Sequence, residues 1–408
     1  MINKKFDKIV NDPIYGFITI NNRLILNLIE HSYFQRLRRI SQLGLTHLVY
    51  PGAIHSRFQH AIGCMYLATK AINQLQKKGH KITKLEENGL KIAILLHDIG
   101  HGPFSHALEN SIVNNIPHER ISYLFMEELN KDYEGDLTLA IKIFKNKYKK
   151  KFLHQLVTSQ LDLDRLDYLK RDSFFTGVTE GNIGSDRIIN MLNVVNDKLV
   201  IEEKGIYSIE KFLSSRRLMY WQVYFHKTVV SAENMLIQCL KRAKELVRKN
   251  NEIYTTPSLL FFLKSNFIYE DFKKNNVILD NFANLDDYDI YNCLKYWRKN
   301  SDFVLSSLSD KILNRRLLKV MVSEQPPSSK KINNLVKTFS TKNKCTYEEA
   351  KYFIFCTKIS NNIYDKKKSN ISILMKNNSI SDLSSISDQH KINSFNNKTE
   401  KYFLCYTD

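Results

Sequence analysis

At 408 residues, with 43% hydrophobic and 25% charged side chains, the chain has globular make-up and enough length for one large core with a smaller unit or two beside it. No apolar run approaches the roughly 18 residues of a membrane-spanning helix, and the start MINKKFDKIVNDP lacks the apolar centre of a secretory signal. The six cysteines (Cys64, Cys239, Cys293, Cys345, Cys356, Cys405) are scattered without a CxxC pair, which argues against a zinc finger or disulfide scaffold and for a reducing, cytoplasmic setting. The formal charge of +19 suits anionic partners, either nucleotide phosphates or a nucleic acid backbone, whereas a membrane partner is not expected.

In chain order, Asp12–Ile20 predicts a short β-hairpin and Leu24–Glu30 a short helix. Tyr33–Leu43 predicts another helix, with Phe34, Leu37 and Ile40 on one face and Arg36, Arg38 and Arg39 around the rest. Phe58, Ala61, Met65, Ala68 and Ile72 give the apolar face of a helix running to about Lys77. Helices follow over Leu85–Leu96 and Pro103–Asn114, and a further one opens at His118–Glu119, where a carboxylate suits the helix dipole. The lysine-rich run from Lys142 to Lys151 reads as an exposed helix end. In LDLDRLDYLKRD, Leu163, Leu166 and Leu169 fall at helical spacing, so most of Asp162, Asp164, Asp167 and Asp172 are expected on a solvated face.

Asn182–Val195 predicts a helix, Lys198–Ile206 a small hairpin, and Ser208–Asn250 a long helical region lightly broken near Phe225. Residues 256–318 predict three more helices, and Ser323–Lys331 a linker rich in Pro and Ser. Beyond it come a helix and strands at Lys351–Thr357, Ile371–Met375 and Tyr402–Tyr406. The expected architecture is mainly α: a helical core with small β-hairpins over 1–250, a helical extension over 251–322, and a small α+β C-terminal domain over 323–408.

The most informative stretch is HDIGHGPFSH, His97 to His106. The apolar run Leu90–Leu96 delivers His97 and Asp98 to a glycine-rich turn. Neighbours on a helix point about 100° apart, so this pair converges only on a point beyond the helix end. A metal ion is such a point, since imidazole nitrogen and carboxylate oxygen are ligands for Mn, Fe, Zn, Co or Mg. His101 and His106 lie one and two turns further on, placed to line the same cavity. Seven of the 12 histidines fall between residues 55 and 118, which strengthens a metal or acid/base site over a simple hydrogen-bonded pair.

With SRFQHAIGC (Ser56–Cys64) upstream, and His118–Glu119 and QLDLDRLDYLKRD (Gln160–Asp172) downstream, this stretch resembles the HD-domain phosphohydrolases. Within them it is most similar to the deoxynucleoside triphosphate triphosphohydrolases of the sterile-alpha-motif/HD type and their bacterial relatives. The resemblance runs from about Asp12 to Lys227. It implies that one divalent metal ion is held by His60, His97, Asp98 and Asp164. It also implies phosphate contacts for Arg57, Arg165, Arg216 and Lys227, with Arg165 standing where several relatives have Lys. Gln42 and Leu43 would lie beside base and sugar, Tyr168 against the sugar, Asp172 at the 3′-hydroxyl, and Tyr224 under the base or sugar. Phe225 and Tyr220 replace residues that are polar in some relatives.

The reaction the resemblance implies is attack of a metal-activated water at the α-phosphorus of a nucleoside triphosphate, giving deoxynucleoside and intact triphosphate. His106, then His101 and His118, are the candidates to protonate the leaving 5′-oxygen, because imidazole titrates near neutral pH. A homo-oligomer is implied as well. Two alternatives stand beside this reading: an HD-type phosphatase or phosphodiesterase acting on another nucleotide, and a nucleic acid-binding or interaction protein in which the HD site is regulatory.

Overall fold

The structure, a computed structural model, describes residues 7–113, 115–361, 364, 370–386 and 399–407. It is mainly α-helical with small sheets, as the apolar periodicities require. The central element is the Arg57–Lys77 helix, in which Ala61, Cys64, Leu67, Ala68, Ala71, Ile72 and Leu75 are all fully buried. Its start is fixed by Gln59, whose side chain accepts from the Ser56 amide at 2.8 Å. The Lys84–Leu95 helix packs beside it and opens with the same device: Thr83 accepts from the Glu86 amide, and Glu86 from the Thr83 amide. The Leu163–Thr176 helix crosses it on another side, capped by Asp162, which accepts from the Arg165 amide at 2.9 Å, and closed by left-handed Gly177.

These three helices leave their ends together. The chain leaves Leu95 into the His97–His106 turn, which packs on the start of the His118–Asp132 helix. At Gly100 the approach is so close that a Cβ would lie 2.3 Å from both the His118 carbonyl oxygen and the Ser122 amide nitrogen. Only glycine fits there, and the contact sets the turn against His118. Phe104 and Ser105 adopt left-handed φ of 54° and 55°, a strain characteristic of functional turns. The predicted Pro103–Asn114 helix is shorter in fact, a tight turn over Ser105–Leu108 and a single turn over Glu109–Ile112; Asn114 lies outside the described residues.

The N-terminal hairpin pairs β1 (Lys8–Asp12) with β2 (Gly16–Ile20), Asp12 opposite Gly16. The helix expected over Asn182–Val195 stops early, at Ser185–Asn190, and the hairpin expected over Lys198–Ile206 begins sooner. Leu192–Val195 is strand β3, paired with β4 (Lys198–Glu202). Asn196 and Asp197 between them have φ of 49° and 60°, the two-residue turn that matches strand twist. Where three helices were expected over 256–318 there are five among the described residues: Pro257–Lys264, Tyr269–Lys274, Asn276–Ala283, Asp287–Trp297 and Phe303–Leu313.

Strand β5 (Lys319–Ser323) follows, and Ser328 caps the Ser329–Asn343 helix, which shortens the expected linker. β5, β9 (Thr399–Tyr406) and β6 (Phe355–Asn361) form an antiparallel sheet with β9 in the middle. β7 (Ser372–Leu374) lies parallel to β4, with Ile201 opposite Ile373, and β8 (Ile380–Asp382) pairs with β7. The C-terminal strands thus join the β3–β4 hairpin and the strand after the last helix of the extension, and Ile373, Leu383 and Cys405 belong to the common buried core. No helix among the described residues is long and apolar enough to cross a membrane.

Candidate active site

The helix ends described above meet at a cavity of about 500 Å³. At its inner end His60, His97, Asp98 and Asp164 converge. His60 Nε2 lies 3.1 Å from Asp164 Oδ1 and 3.6 Å from Asp98 Oδ2; His97 Nε2 lies 3.3 Å from Asp98 Oδ1 and 3.6 Å from Asp164 Oδ1. Such spacings are those of neighbouring ligands around an ion with bonds of about 2.1 Å. The other ring nitrogens are occupied: His60 Nδ1 meets Asp167 at 2.7 Å, and His97 Nδ1 donates to the Ile94 carbonyl at 2.6 Å. These contacts fix both rings with Nε2 toward the common point, as outer partners of metal-bound histidines do. His97 Nε2 is buried and has no hydrogen-bond partner.

The electrostatics agree with a cation at that point. Burial opposes ionisation of Asp98, yet His97, Arg57 and His101 outweigh it and hold the carboxyl well below the usual range. Asp164 is half-buried; burial opposes its ionisation as well, but His60 and His97 hold its carboxyl low. Burial also opposes a charged His60, but its contacts with the Asp164 and Asp167 carboxylates drive its pKa well up. So much buried negative character binds either protons or a metal ion. The two histidines and two carboxylates fit a divalent metal by donor chemistry, by spacing and by the orphaned nitrogen.

Two details were not foreseen. Cys64 lies one turn beyond His60, its sulfur 3.6 Å from both ring nitrogens, and with His60, His97 and Asp164 it forms a set whose ligand atoms lie within 4.8 Å of one another. Burial pushes its thiol up, so it packs under the ring as a neutral group. The aspartates do not form a solvated face: Asp162, Asp167 and Asp172 are buried. The spacing misled because the burial depends on groups remote in sequence: His60 on Asp167, His55 and Tyr224 on Asp172, and Asp12 on Arg171. Arg171 binds Asp167 through Nε and Nη2 at 2.8 and 3.0 Å, and its Nη1 reaches Asp12 in the hairpin at 2.9 Å.

Beside the ligand cluster His101, His106 and His118 stand together, His101 stacked on His118 at 3.7 Å and edge-on to His106 at 4.7 Å. Burial first, then Arg57 and His118, push the His101 pKa well below its ordinary value, and both its ring nitrogens are buried without a hydrogen-bond partner. His106 is exposed to the cavity. Arg57 donates to Ser105 Oγ at 2.7 Å and pairs with Asp98. Arg165 pairs with Asp162, and Arg216 lies 5.6 Å from the Tyr220 ring.

Tyr168, Tyr220, Tyr224 and Phe225 form an aromatic wall. Tyr220 and Tyr224 stand on a widened turn, Tyr220–Tyr224, with Phe225 just after it, and the long helical region breaks there as expected. Asp172 accepts from the Tyr224 hydroxyl at 2.8 Å and from His55 at 2.7 Å, and buried His55 stacks on Phe175. Gln42 and Leu43 also line the cavity, Gln42 with its carbonyl oxygen buried and unpartnered. Lys227 is the exception among the expected site residues. It is exposed at the start of the Lys227–Arg248 helix and outside the cavity wall, because the break at Phe225 turns the chain away. Asp287, from the 251–322 region, accepts from the Ser41 and Phe104 amides at 2.8 and 2.6 Å and so clamps two cavity turns; burial raises its carboxyl to about 6.

Residues 57–172 match the HD domain family model and residues 183–256 the HD associated region. The chain is 34% identical over 318 residues to the Bacillus subtilis protein YwfO, covering 76% of this chain and 71% of that one. The chain belongs to the HD-domain family. A solved phosphohydrolase from Bacteroides thetaiotaomicron is similar to this HD-domain protein over 99% of this chain and 100% of that one, with 51% identity and a TM-score of 0.95. The Dictyostelium discoideum homolog of the deoxynucleoside triphosphate triphosphohydrolase SAMHD1 is 30% identical over 270 residues; the match covers 62% of this chain and about half, 52%, of that protein. The HD-domain protein is therefore a phosphohydrolase of this family, resembling the dNTP triphosphohydrolases, with a His/Asp/Cys cluster able to hold a divalent metal.

Proposed function

We propose that the protein hydrolyses deoxynucleoside triphosphates to deoxynucleoside and triphosphate, with a divalent metal held by His60, His97, Asp98 and Asp164. The observation that carries this reading is one cavity that combines the His/Asp cluster, the guanidinium groups of Arg57, Arg165 and Arg216, and an aromatic wall. Its volume is in the range of small-ligand sites. A polar anionic ligand would satisfy the groups there that lack protein partners, among them both nitrogens of His101 and the Gln42 carbonyl oxygen. The SAMHD1-type relatives support the choice of dNTPs over other nucleotides.

When bound, the metal supplies Lewis-acid stabilisation of phosphoryl charge and lowers the pKa of water. The arginines hold the triphosphate: each is a planar donor that keeps its charge, so the phosphates are oriented and their charge is offset as it develops. His101 is neutral at pH 7 and can donate one N–H to a phosphate oxygen. His106 carries the proton that the leaving 5′-oxygen requires, a role supported by its exposure to the cavity edge-on to His101. Tyr168 and Tyr224 offer faces for sugar or base, and Asp172, fixed by His55 and Tyr224, keeps lone pairs for a sugar hydroxyl. The six cysteines are all free, which supports a cytoplasmic setting.

The test is product analysis with each of the four dNTPs and NTPs, with Mn, with Mg and without metal, for wild type and Asp98→Ala. Deoxynucleoside plus triphosphate, lost in the variant, is the expected result. Monophosphate or diphosphate products would replace the substrate class while keeping the metal site. No turnover with any nucleotide, alone or mixed, would overturn the enzymatic reading in favour of nucleic acid binding.

A further inference from the structure

Glu233 stands in the cavity wall, half-buried, and makes no hydrogen bond or ion pair with any described residue. Its helix, Lys227–Arg248, brings its carboxylate against the turn that follows Leu43. A Cβ on Gly44 would lie 3.0 Å from Glu233 Oε1, 3.2 Å from the Phe104 carbonyl oxygen and 3.6 Å from the Ala107 Cβ. Gly44 also has φ +50°, so a glycine at this place lets the turn close on the carboxylate. Burial pushes the Glu233 carboxyl up to about 8. Glu233 thus faces the Leu43–Gly44 turn and the Phe104–Ala107 turn, and no ion pair joins it to Arg57, Arg165 or Arg216. A triphosphate lies with its charges on the arginines, which leaves the base for the cation-free end. With no ligand bound this carboxyl therefore holds its proton near neutral pH, and a ligand that donates N–H groups to both oxygens favours the ionised form.

We propose that Glu233 reads the base of the bound nucleotide, its two carboxylate oxygens accepting N1–H and N2–H of a guanine. This rests on the dNTP reading of the cavity. Guanine is the base whose pairing edge carries two adjacent donors. Adenine and cytosine set a ring-nitrogen acceptor beside the amino group, and thymine sets its single N–H between two carbonyls, so each of these turns a lone pair toward one carboxylate oxygen. Glu233 is therefore a specificity-determining residue, acting on binding of the base and not on the phosphorus.

The experiment is internal competition in one tube between dGTP and dITP, which differ only in the 2-amino group, read as the ratio of their kcat/KM values. Wild type is expected to favour dGTP by about tenfold or more. Glu233→Gln, which offers one acceptor and one donor, is expected to bring the ratio to within about twofold of one. Glu233→Asp is the second variant, and thermal melting establishes that each is folded. If a folded variant has lost turnover, equilibrium binding of dGTP and dITP to the EDTA-treated protein reads the same ratio. A wild-type ratio near one, with dNTPs hydrolysed, overturns this inference alone. So does a folded Gln variant that keeps the wild-type preference. No turnover or binding of any dNTP by wild type overturns the dNTP reading and this inference with it.

Discussion

Removing the Asp167 carboxylate tests how the metal ligands are held. Asp167 is fully buried and serves two groups: it fixes His60 Nδ1 at 2.7 Å and neutralises Arg171, itself fully buried, through two contacts of 2.8 and 3.0 Å. Burial opposes its ionisation, but Arg171 and His60 hold its carboxyl at about 2 against an ordinary 3.8. A folded pKa below the unfolded one stabilises the fold above the unfolded value and ceases to do so as pH falls through the folded one. The shift corresponds to about 2 kcal/mol, present above pH 4 and lost toward pH 2. Truncation costs more than the proton linkage, because it leaves Arg171 buried with Asp12 as its remaining carboxylate.

Asp167→Ala is therefore expected to lower the unfolding free energy by about 3–5 kcal/mol. It is also expected to weaken metal affinity by about 10–100-fold, since His60 loses the acceptor that orients it. Urea unfolding of the EDTA-treated protein reads the first quantity and titration with Mn the second. A variant within about 1 kcal/mol of wild type would refute the argument that this carboxylate compensates the buried arginine. A variant with unchanged Mn affinity would refute its role in orienting His60.

Three further outcomes follow from the same geometry. Gly100→Ala forces a Cβ to 2.3 Å from two backbone atoms of the His118 helix, so the HD turn must move, and activity is expected to fall about 100-fold or more; near-normal turnover would show that the turn has slack. Tyr224→Phe removes the hydroxyl that donates to Asp172 at 2.8 Å and is expected to lower kcat/KM by a factor equivalent to about 1 kcal/mol; an unchanged value would separate Asp172 from substrate. His101 is held neutral by burial and by Arg57 and His118, so its contribution to stability is present above pH 6.5 and lost as pH falls below it. In the EDTA-treated protein, His101→Gln should reduce the fall of unfolding free energy from pH 7 to pH 5.5, by up to about 1.4 kcal/mol per pH unit; an identical slope would show that His101 takes up its proton in the folded state as readily as in the unfolded chain.

What the sequence by itself determined is what short range controls. The apolar periodicity of Arg57–Lys77 and the capping chemistry of Thr83 and Asp162 specify the helices that carry His60, His97 and Asp164. The HD pair at a helix end specifies that two ligands leave that helix for an external point. The resemblance supplied the distant members of the set, and the structure brings His60, His97, Asp98 and Asp164 together. The Leu192–Val195 strand has a local signal of its own, the Asn196–Asp197 turn that joins it to Lys198–Glu202.

The tertiary structure alone decided which polar groups are buried and what they face. Asp167 and Asp172 share the helical spacing of solvated aspartates, and only the arrival of His60 at Asp167, of His55 and Tyr224 at Asp172, and of Asp12 at Arg171 satisfies them when buried. Asp287 and Glu233 carry no local mark, because one clamps turns some 180–250 residues away and the other meets Gly44 from a different helix. Lys227 matched by position and still lies outside the cavity lining, while Glu233, almost two turns further along the same helix, lies in it. The pairing of β7 with β4 is equally invisible in sequence: strand partners are chosen by backbone groups that all residues share, and the choice is made by what the folded core leaves open.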